Sequence, residues 1–307
     1  MATTTQEKEV THEFKFFRVY KDGTVELFRP PPTIIPPFDD PATGLRTKDA
    51  VISTNSPVSA RLFLPKTTNP NNNKLPVFLF FHGSGFCVMS AFATEYHNHL
   101  AIIANQANVL AVSVEYAKFP ARPLPACYHD AWSSLQWVVS HAGGAGPEPW
   151  LNEHADFQRV FIAGNSAGGN LTHWVVTHWA GKIGLPPGVT VDGAILVHPF
   201  FGGIGDDSQW LYMCEENEGP EDPRLKPAAE DLKVLGCKRV LVCVGEKDPL
   251  LVAGENYVEA LKKSGWKGSV ELVVNLGLEH CNHVFKPDED NAREVFLKIA
   301  SFINNQE

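Results

Sequence analysis

The chain has 307 residues, 44% of them hydrophobic, and 26 Lys and Arg against 35 Asp and Glu give a formal net charge of −9. The acidic balance excludes a nucleic-acid binder, which needs a basic face to displace counterions, and the lack of an apolar run of about 18 residues predicts no transmembrane helix. Residues 1–10 lack the apolar core of a signal peptide, and six scattered cysteines without CxxC spacing are expected to be reduced thiols. We therefore expect a cytoplasmic protein of one domain, residues 1–307, without nucleic-acid or membrane partners.

The chain opens with two strand-like runs, residues 14–20 and 24–28. Asp22-Gly23 between them is typical of the turn of a β-hairpin. Residues 30–37 then contain five prolines, which predicts an extended connector and excludes a helix. A proline-recognition motif is the alternative interpretation of that run.

Buried strands and helices alternate through the rest of the chain. Strand-like runs, most of them apolar throughout, occupy residues 58–64, 75–81, 109–114, 160–163, 194–197 and 240–244, with 270–274 as a last candidate. Helix-like segments occupy residues 91–106, 128–141, 169–181, 254–264 and 290–302. This alternation predicts an α/β fold with a mostly parallel central sheet flanked by helices. The chemistry of such a sheet lies at the carboxyl ends of its strands.

The strongest motif is Gly164-Asn165-Ser166-Ala167-Gly168, which follows the apolar run VFIA and precedes a helical segment. A GxSxG sequence between a strand and a helix is the nucleophile elbow, in which small residues permit a tight turn around an exposed serine. The turn also places the hydroxyl at a helix N-terminus, where developing negative charge is stabilised. The alternative is a glycine-rich turn that contains an incidental serine.

A second small-residue turn, His82-Gly83-Ser84-Gly85-Phe86, directly follows a buried strand. Acyl transfer needs backbone N–H donors that face the oxyanion, and a turn of small residues lets substrate approach the backbone. The predicted donors are the amides of Gly83 and Ser84, together with Ala167 after the nucleophile. The alternative is a plain glycine turn.

A serine nucleophile needs a base, and the base needs an acid that orients it. Asp248 follows the apolar run VLVCV and is the expected acid, with Glu246 as its competitor. His280 and His283 both follow the last predicted strand, and their spacing from that strand does not choose between them. We expect no metal or cofactor, because His173 and His178 stand five residues apart on a helix and no HExxH occurs.

These motifs resemble the hormone-sensitive-lipase-like branch of the α/β-hydrolases, and the plant carboxylesterases above all. The phrases FRVYKDGTVE, LPACYHD, ADFQRVFIAGNSAGGN, HPFF and GCKRVLVCVGEKD carry the resemblance over residues 14–304. In that family the segment after the last strand resembles GEDHVFHLFNP. Anchoring on Lys286-Pro287 and Asn291-Ala292 gives a gapless fit, and this resemblance implies that His280 is the catalytic histidine, with His283 as the fallback.

The resemblance implies a serine carboxylesterase that acts on small esters through Ser166, His280 and Asp248, with a small cap formed by about residues 1–40 and 199–223. The family also includes 2-hydroxyisoflavanone dehydratases, alkaloid cyclases and non-catalytic gibberellin receptors, so a lyase or a small-molecule receptor is the alternative. Ser84 replaces a usual glycine, and Asn165 replaces a usual acidic residue. The 199–223 stretch looks shorter than usual, which predicts a more open or differently shaped substrate site.

Overall fold

The computed structural model describes residues 9–66 and 74–305. The strands are β1 Val10–Glu13, β2 Phe17–Tyr20, β3 Val25–Leu27, β4 Arg46–Ser53, β5 Val58–Leu64, β6 Leu75–Phe81, β7 Leu110–Glu115, β8 Ala155–Asn165, β9 Val191–Val197, β10 Arg239–Gly245 and β11 Ser269–Asn275. The helices are α1 Thr94–Ala107, α2 Ala126–Val139, α3 Pro149–His154, α4 Ala167–Trp174, α5 Ser208–Met213, α6 Ala229–Leu232, α7 Leu251–Lys263, α8 Asn282–Phe285 and α9 Asp290–Asn304. A π-helical segment, Val175–Gly181, continues α4.

An eight-stranded sheet forms the centre of the fold, in the order β11-β10-β9-β8-β6-β7-β5-β4. The six strands from β11 to β7 in that order are parallel. At one edge β5 pairs antiparallel with β7, and β4 pairs antiparallel with β5. Every residue of β6 is buried, because helices cover both faces of the sheet. The expected α/β fold with a mostly parallel sheet is confirmed. No helix in the described ranges is long and apolar enough to cross a membrane.

The N-terminal segment forms a separate antiparallel sheet in the order β1-β2-β3. The predicted hairpin is present, with Gly23 at a φ of 80° and its amide donating to the Tyr20 carbonyl at 2.9 Å. The sheet contacts α5, where the Tyr212 ring lies 5.1 Å from the Phe14 ring, and the Phe16 amide donates to Gln209 at 3.3 Å. The two segments assigned to the cap therefore contact each other, although residues 1–8 lie outside the described residues.

Two buried histidines make stability depend on pH. Burial holds the pKa of both His99 and His173 at about 3. They stay neutral in the folded chain at a pH where an unfolded imidazole, with a pKa of about 6.5, takes up a proton. Unfolding therefore binds protons as the pH falls, and each histidine lowers the free energy of unfolding by about 2 kcal/mol at about pH 5.

We accordingly expect the Tm, followed by circular dichroism, to fall between about pH 7.5 and about pH 5. A His99→Phe variant keeps an aromatic ring that does not titrate, and its Tm should fall less steeply over the same range. A wild-type Tm that stays constant across this interval would contradict the assignment of these histidines as neutral.

Candidate active site

The predicted nucleophile, Ser166, lies in a sharp turn between β8 and α4 at the carboxyl edge of the sheet. A Cβ on Gly164 would lie 2.2 Å from the Gly168 carbonyl oxygen, and a Cβ on Gly168 would lie 1.9 Å from the Phe81 carbonyl oxygen. Both positions therefore require glycine. Ser166 itself has a φ of 54°, a costly conformation for a residue with a side chain, and such strain is concentrated at functional sites.

The structure brings the three predicted triad side chains into one hydrogen-bonded row. His280 Nε2 lies 3.0 Å from Ser166 Oγ, and His280 Nδ1 lies 2.8 Å from Asp248 Oδ2. The other carboxylate oxygen of Asp248 accepts the Leu250 amide at 2.7 Å. The three residues come from the ends of β8, β10 and β11, which are near one another because parallel strands place their carboxyl ends at one edge.

The alternative residues lie elsewhere. His283 is fully buried, and neither of its ring nitrogens has a hydrogen-bond partner among the described residues. Glu246 is exposed and accepts the Gly277 amide at 2.8 Å. The geometry of a base between the serine and an acid is therefore present at His280 and Asp248, and not at His283 or Glu246.

The structure corrects one predicted oxyanion donor, Gly83. Its amide donates to Asn165 Oδ1 at 2.8 Å and to Tyr96 Oη at 2.9 Å, so it is already used inside the protein. The next two amides, of Ser84 and Gly85, have no acceptor within the described ranges. Gly85 and Ala167 both line the cavity at Ser166. The residue types alone did not reveal which of the three consecutive amides is already bonded within the protein.

Ser84, the departure from the usual glycine, turns its hydroxyl toward partners inside the protein. Tyr116 Oη donates to the His82 carbonyl at 2.5 Å, so the Ser84 hydroxyl is left to donate to Tyr116 Oη at 2.8 Å. Ser84 Oγ also accepts the Phe86 amide at 2.9 Å. The hydroxyl thus links the Phe86 amide, within the turn, to the Tyr116 hydroxyl in the protein interior.

Replacing Ser84 by alanine should lower kcat/KM for a short-chain ester by about tenfold, since the buried Phe86 amide loses its acceptor and the turn loosens. The Tm should fall in parallel. Steady-state kinetics and thermal melts measure the two effects, and a kcat/KM equal to that of the wild type would show that the hydroxyl does not hold the turn.

Asn165 links three parts of the site. Its Oδ1 accepts the Gly83 amide, while its Nδ2 donates to Tyr96 Oη at 3.2 Å and to Cys281 Sγ at 3.3 Å. It therefore connects the turn after β6, helix α1 and the loop that carries the histidine. An amide suits this position because it both donates and accepts, whereas a carboxylate only accepts.

A cavity of about 310 Å³ opens at Ser166 and His280. Most of its large side chains are apolar, and they include Phe14, Phe16, Phe86, Phe200, Trp210 and Met213. Lys15, Asp206, Asp207 and Gln209 add polar groups to the lining. A cavity of this size suits a small organic substrate with an aromatic or aliphatic part.

Burial and hydrogen bonding act in opposite directions on the pKa values of His280 and Asp248. Burial is the largest influence on the pKa of His280 and lowers it, but Cys281 and Asp248 outweigh burial, so this pKa lies above the usual range. Burial also raises the pKa of Asp248, but hydrogen bonds from His198 and His280 outweigh it and hold this pKa well below the usual range. Asp248 is therefore ionised beside an imidazole that binds protons readily.

The raised pKa of His280 predicts how the ester hydrolysis expected from the sequence should depend on pH. His280 must be neutral to accept the Ser166 proton, so kcat/KM should rise with pH through the pKa of His280. The midpoint should lie above about 6.5, the value for a free imidazole. A pH–rate profile with a short-chain ester measures it, and a midpoint at or below that value would contradict the stabilisation of the imidazolium.

His198, Asp248 and His280 place three possible metal-ligand atoms within 4.8 Å of one another. The contacts from the two imidazoles to Asp248 Oδ2, at 2.5 and 2.8 Å, have the lengths of hydrogen bonds to a carboxylate. His198 is absent from the residues that the sequence patterns predicted for the site. It could have been found by the same rule as Asp248, because it is a polar residue directly after a buried strand, β9.

Comparisons with known proteins extend along nearly the whole chain. A family model described as "alpha/beta hydrolase fold" matches residues 78–284. "2-hydroxyisoflavanone dehydratase" of Glycyrrhiza echinata is 40% identical over 324 residues, which cover 98% of this chain and 98% of that protein. "Probable carboxylesterase 7" of Arabidopsis thaliana is 39% identical over 304 residues, which cover 94% of this chain and 96% of that protein. Among solved structures, the esterase of Pyrobaculum calidifontis has a TM-score of 0.69 at 25% identity and covers 84% of each chain.

Proposed function

The chain belongs to the α/β-hydrolase fold family, and from this premise we propose that it is a serine carboxylesterase that hydrolyses small carboxylic esters through an acyl-enzyme on Ser166. The observation that carries the proposal is the distance of 3.0 Å between Ser166 Oγ and His280 Nε2, with Asp248 on the far side of the imidazole. Relatives named as carboxylesterases and an esterase of the same fold support the reaction class.

The reaction begins when Ser166 Oγ attacks the ester carbonyl carbon while His280 Nε2 takes the hydroxyl proton. Asp248 orients the imidazole and stabilises its charged form. The amides of Ser84, Gly85 and Ala167 donate hydrogen bonds to the oxyanion. His280 then gives the proton to the leaving alcohol, and water attacks the acyl-enzyme by the same path, which releases the acid and regenerates Ser166.

Turnover of a short-chain p-nitrophenyl ester tests this proposal. We expect a burst of p-nitrophenol as Ser166 is acylated, followed by steady hydrolysis. A fluorophosphonate probe should also label the folded protein at Ser166, as peptide mass spectrometry would show. A folded protein that neither hydrolyses the ester nor reacts with the probe would overturn the proposal.

A lyase is the second candidate, because the chain is 40% identical to a 2-hydroxyisoflavanone dehydratase over nearly its full length. In a dehydration His280 would abstract a proton from the substrate while a hydroxyl leaves, and Ser166 would not be acylated. Ser166→Ala separates the two reactions, since it abolishes hydrolysis and leaves the base of an elimination in place. A receptor without catalysis is the third candidate, and the complete triad argues against it.

The single domain with its cap, and the cytoplasmic location, belong to the same proposal. Contacts between β1–β3 and α5 support one folded unit. All six cysteines are free thiols, as expected in a reducing compartment. A single cooperative thermal transition and a cytosolic fluorescent fusion are the expected results, and import of the fusion into an organelle would contradict the location.

A further inference from the structure

Asp248 receives two imidazoles on the same oxygen. His198 Nδ1 lies 2.5 Å from Oδ2, and His280 Nδ1 lies 2.8 Å from the same atom. Because Oδ1 accepts the Leu250 amide, His198 completes a set of three hydrogen bonds that leaves the carboxylate little freedom to rotate. The catalytic scheme above uses only one of the two imidazoles.

The backbone holds His198 in this place. Its amide donates to the Cys243 carbonyl at 2.7 Å, and its φ of 50° is an uncommon conformation for a residue other than glycine. A Cβ on Gly245 would lie 2.9 Å from His198 Cε1, so the glycine leaves room for the ring. Strain at a buried polar residue indicates that the surrounding structure fixes its position.

The segment that carries His198 also contacts the nucleophile. The Ser166 amide donates to the Val197 carbonyl at 3.0 Å, and the Phe200 amide donates to the Ser166 carbonyl at 3.0 Å. The segment 197–200 is therefore hydrogen-bonded to the serine through its backbone and to Asp248 through the His198 side chain. One short segment holds both ends of the triad.

His198 faces few other titratable groups. The His198 ring is fully buried and stacks on His283 at 5.3 Å, while the edge of the His280 ring approaches it at 5.7 Å. Cys281 Sγ lies 3.7 Å from His280 Nε2, and the centre of the His99 ring lies 5.3 Å from that of the His283 ring. Burial is the largest influence on the pKa of His198 and lowers it despite Asp248, so His198 is a neutral donor that keeps its Nδ1 proton.

We propose that His198 is a positioning residue of the triad: it fixes the Asp248 carboxylate against His280 and, by sharing Oδ2, limits how strongly that carboxylate stabilises the protonated His280. This role rests on the proposed esterase function. It predicts that loss of the His198 donor makes His280 more basic and leaves Asp248 less well oriented. Since hydrolysis needs neutral His280, the acid limb of the pH–rate profile then moves to higher pH.

A matched pair of variants tests the role. Asn and Leu have the same branching, but only Asn has an N–H in the position of Nδ1. His198→Leu should lower kcat by about 10- to 100-fold, leave KM nearly unchanged and move the acid limb upward. In His198→Asn, both kcat and the pH of the acid limb should lie closer to the wild-type values. Circular dichroism and thermal melts establish that both variants fold.

Low-field proton NMR gives a second readout that does not need activity. The His280 Nδ1 proton should move further downfield in His198→Leu, because Asp248 then has one imidazole donor fewer, and stay near its wild-type position in His198→Asn. The proposal would be overturned if both variants lost kcat equally while the acid limb of the pH–rate profile and the His280 Nδ1 resonance stayed at their wild-type positions. His198 would then be a packing residue only. A wild-type kcat in His198→Leu would also overturn it. Failure of the wild type to hydrolyse any ester would overturn the esterase function instead, and the NMR comparison would still decide the role of His198.

Discussion

Replacing Ser166 by alanine is expected to lower kcat for a short-chain p-nitrophenyl ester by on the order of 10⁴- to 10⁶-fold and to abolish the burst. The variant keeps the proposed oxyanion donors and the cavity, so the remaining rate reflects binding and electrostatic stabilisation without a covalent intermediate. KM should change little, because the hydroxyl is a small part of the lining. Stopped-flow and steady-state kinetics measure both quantities.

Ser84→Ala is the matched control, because it also removes a serine hydroxyl near the site but leaves Ser166 in place. It should lower kcat/KM by only about tenfold. Fluorophosphonate labelling must disappear in Ser166→Ala and persist in Ser84→Ala. Undiminished hydrolysis by a folded Ser166→Ala protein would exclude the acyl-enzyme and move the assignment toward the elimination described above.

Replacing His280 by glutamine should have an effect of similar size, because Ser166 then has no base and the leaving alcohol has no acid. The distance of 3.0 Å from His280 Nε2 to Ser166 Oγ is the reason for expecting this loss at position 280. His283→Gln is the matched control. His283 is fully buried and lies outside the serine–histidine–aspartate row, so this variant should lose stability and keep most of its kcat.

Each variant is measured for kcat at a pH above the acid limb and for Tm. The reverse pattern, an active His280→Gln and an inactive but folded His283→Gln, would show that the geometry of the free protein differs from that of the reacting complex. The assignment of the base would then pass to His283.

The buried strands could be predicted from the sequence because an apolar run has a hydrophobic signal that does not depend on its neighbours. The predicted run 75–81 and the observed β6 coincide. The sequence does not predict β4, RTKDAVIS, because an edge strand with a charged, exposed face has no such run. α5 is short and lies in the cap, where tertiary contacts with the N-terminal sheet outweigh local propensity.

The position of the candidate site followed from the rule that polar residues after buried strands meet at one edge of the sheet. The same rule applies to His198, which directly follows β9. In the sequence, however, the phrase HPFF that contains His198 carries the family resemblance and does not by itself indicate a role at the site. Gly83 was assigned to the oxyanion because its residue type fits, whereas its amide is occupied by Asn165, which lies 82 positions away in the chain. Contacts of that separation are set by packing, and no local pattern records them.

Phe16 lies against the turn that carries the proposed oxyanion donors, since a Cβ on Gly85 would be 2.4 Å from its ring. The N-terminal hairpin is therefore a wall of the cavity and a support for the turn at the same time. A chain shortened to begin after the proline-rich connector would keep every member of the serine–histidine–aspartate row and lose that support. Such a truncation should therefore lower the rate of ester hydrolysis without removing any strand of the eight-stranded sheet.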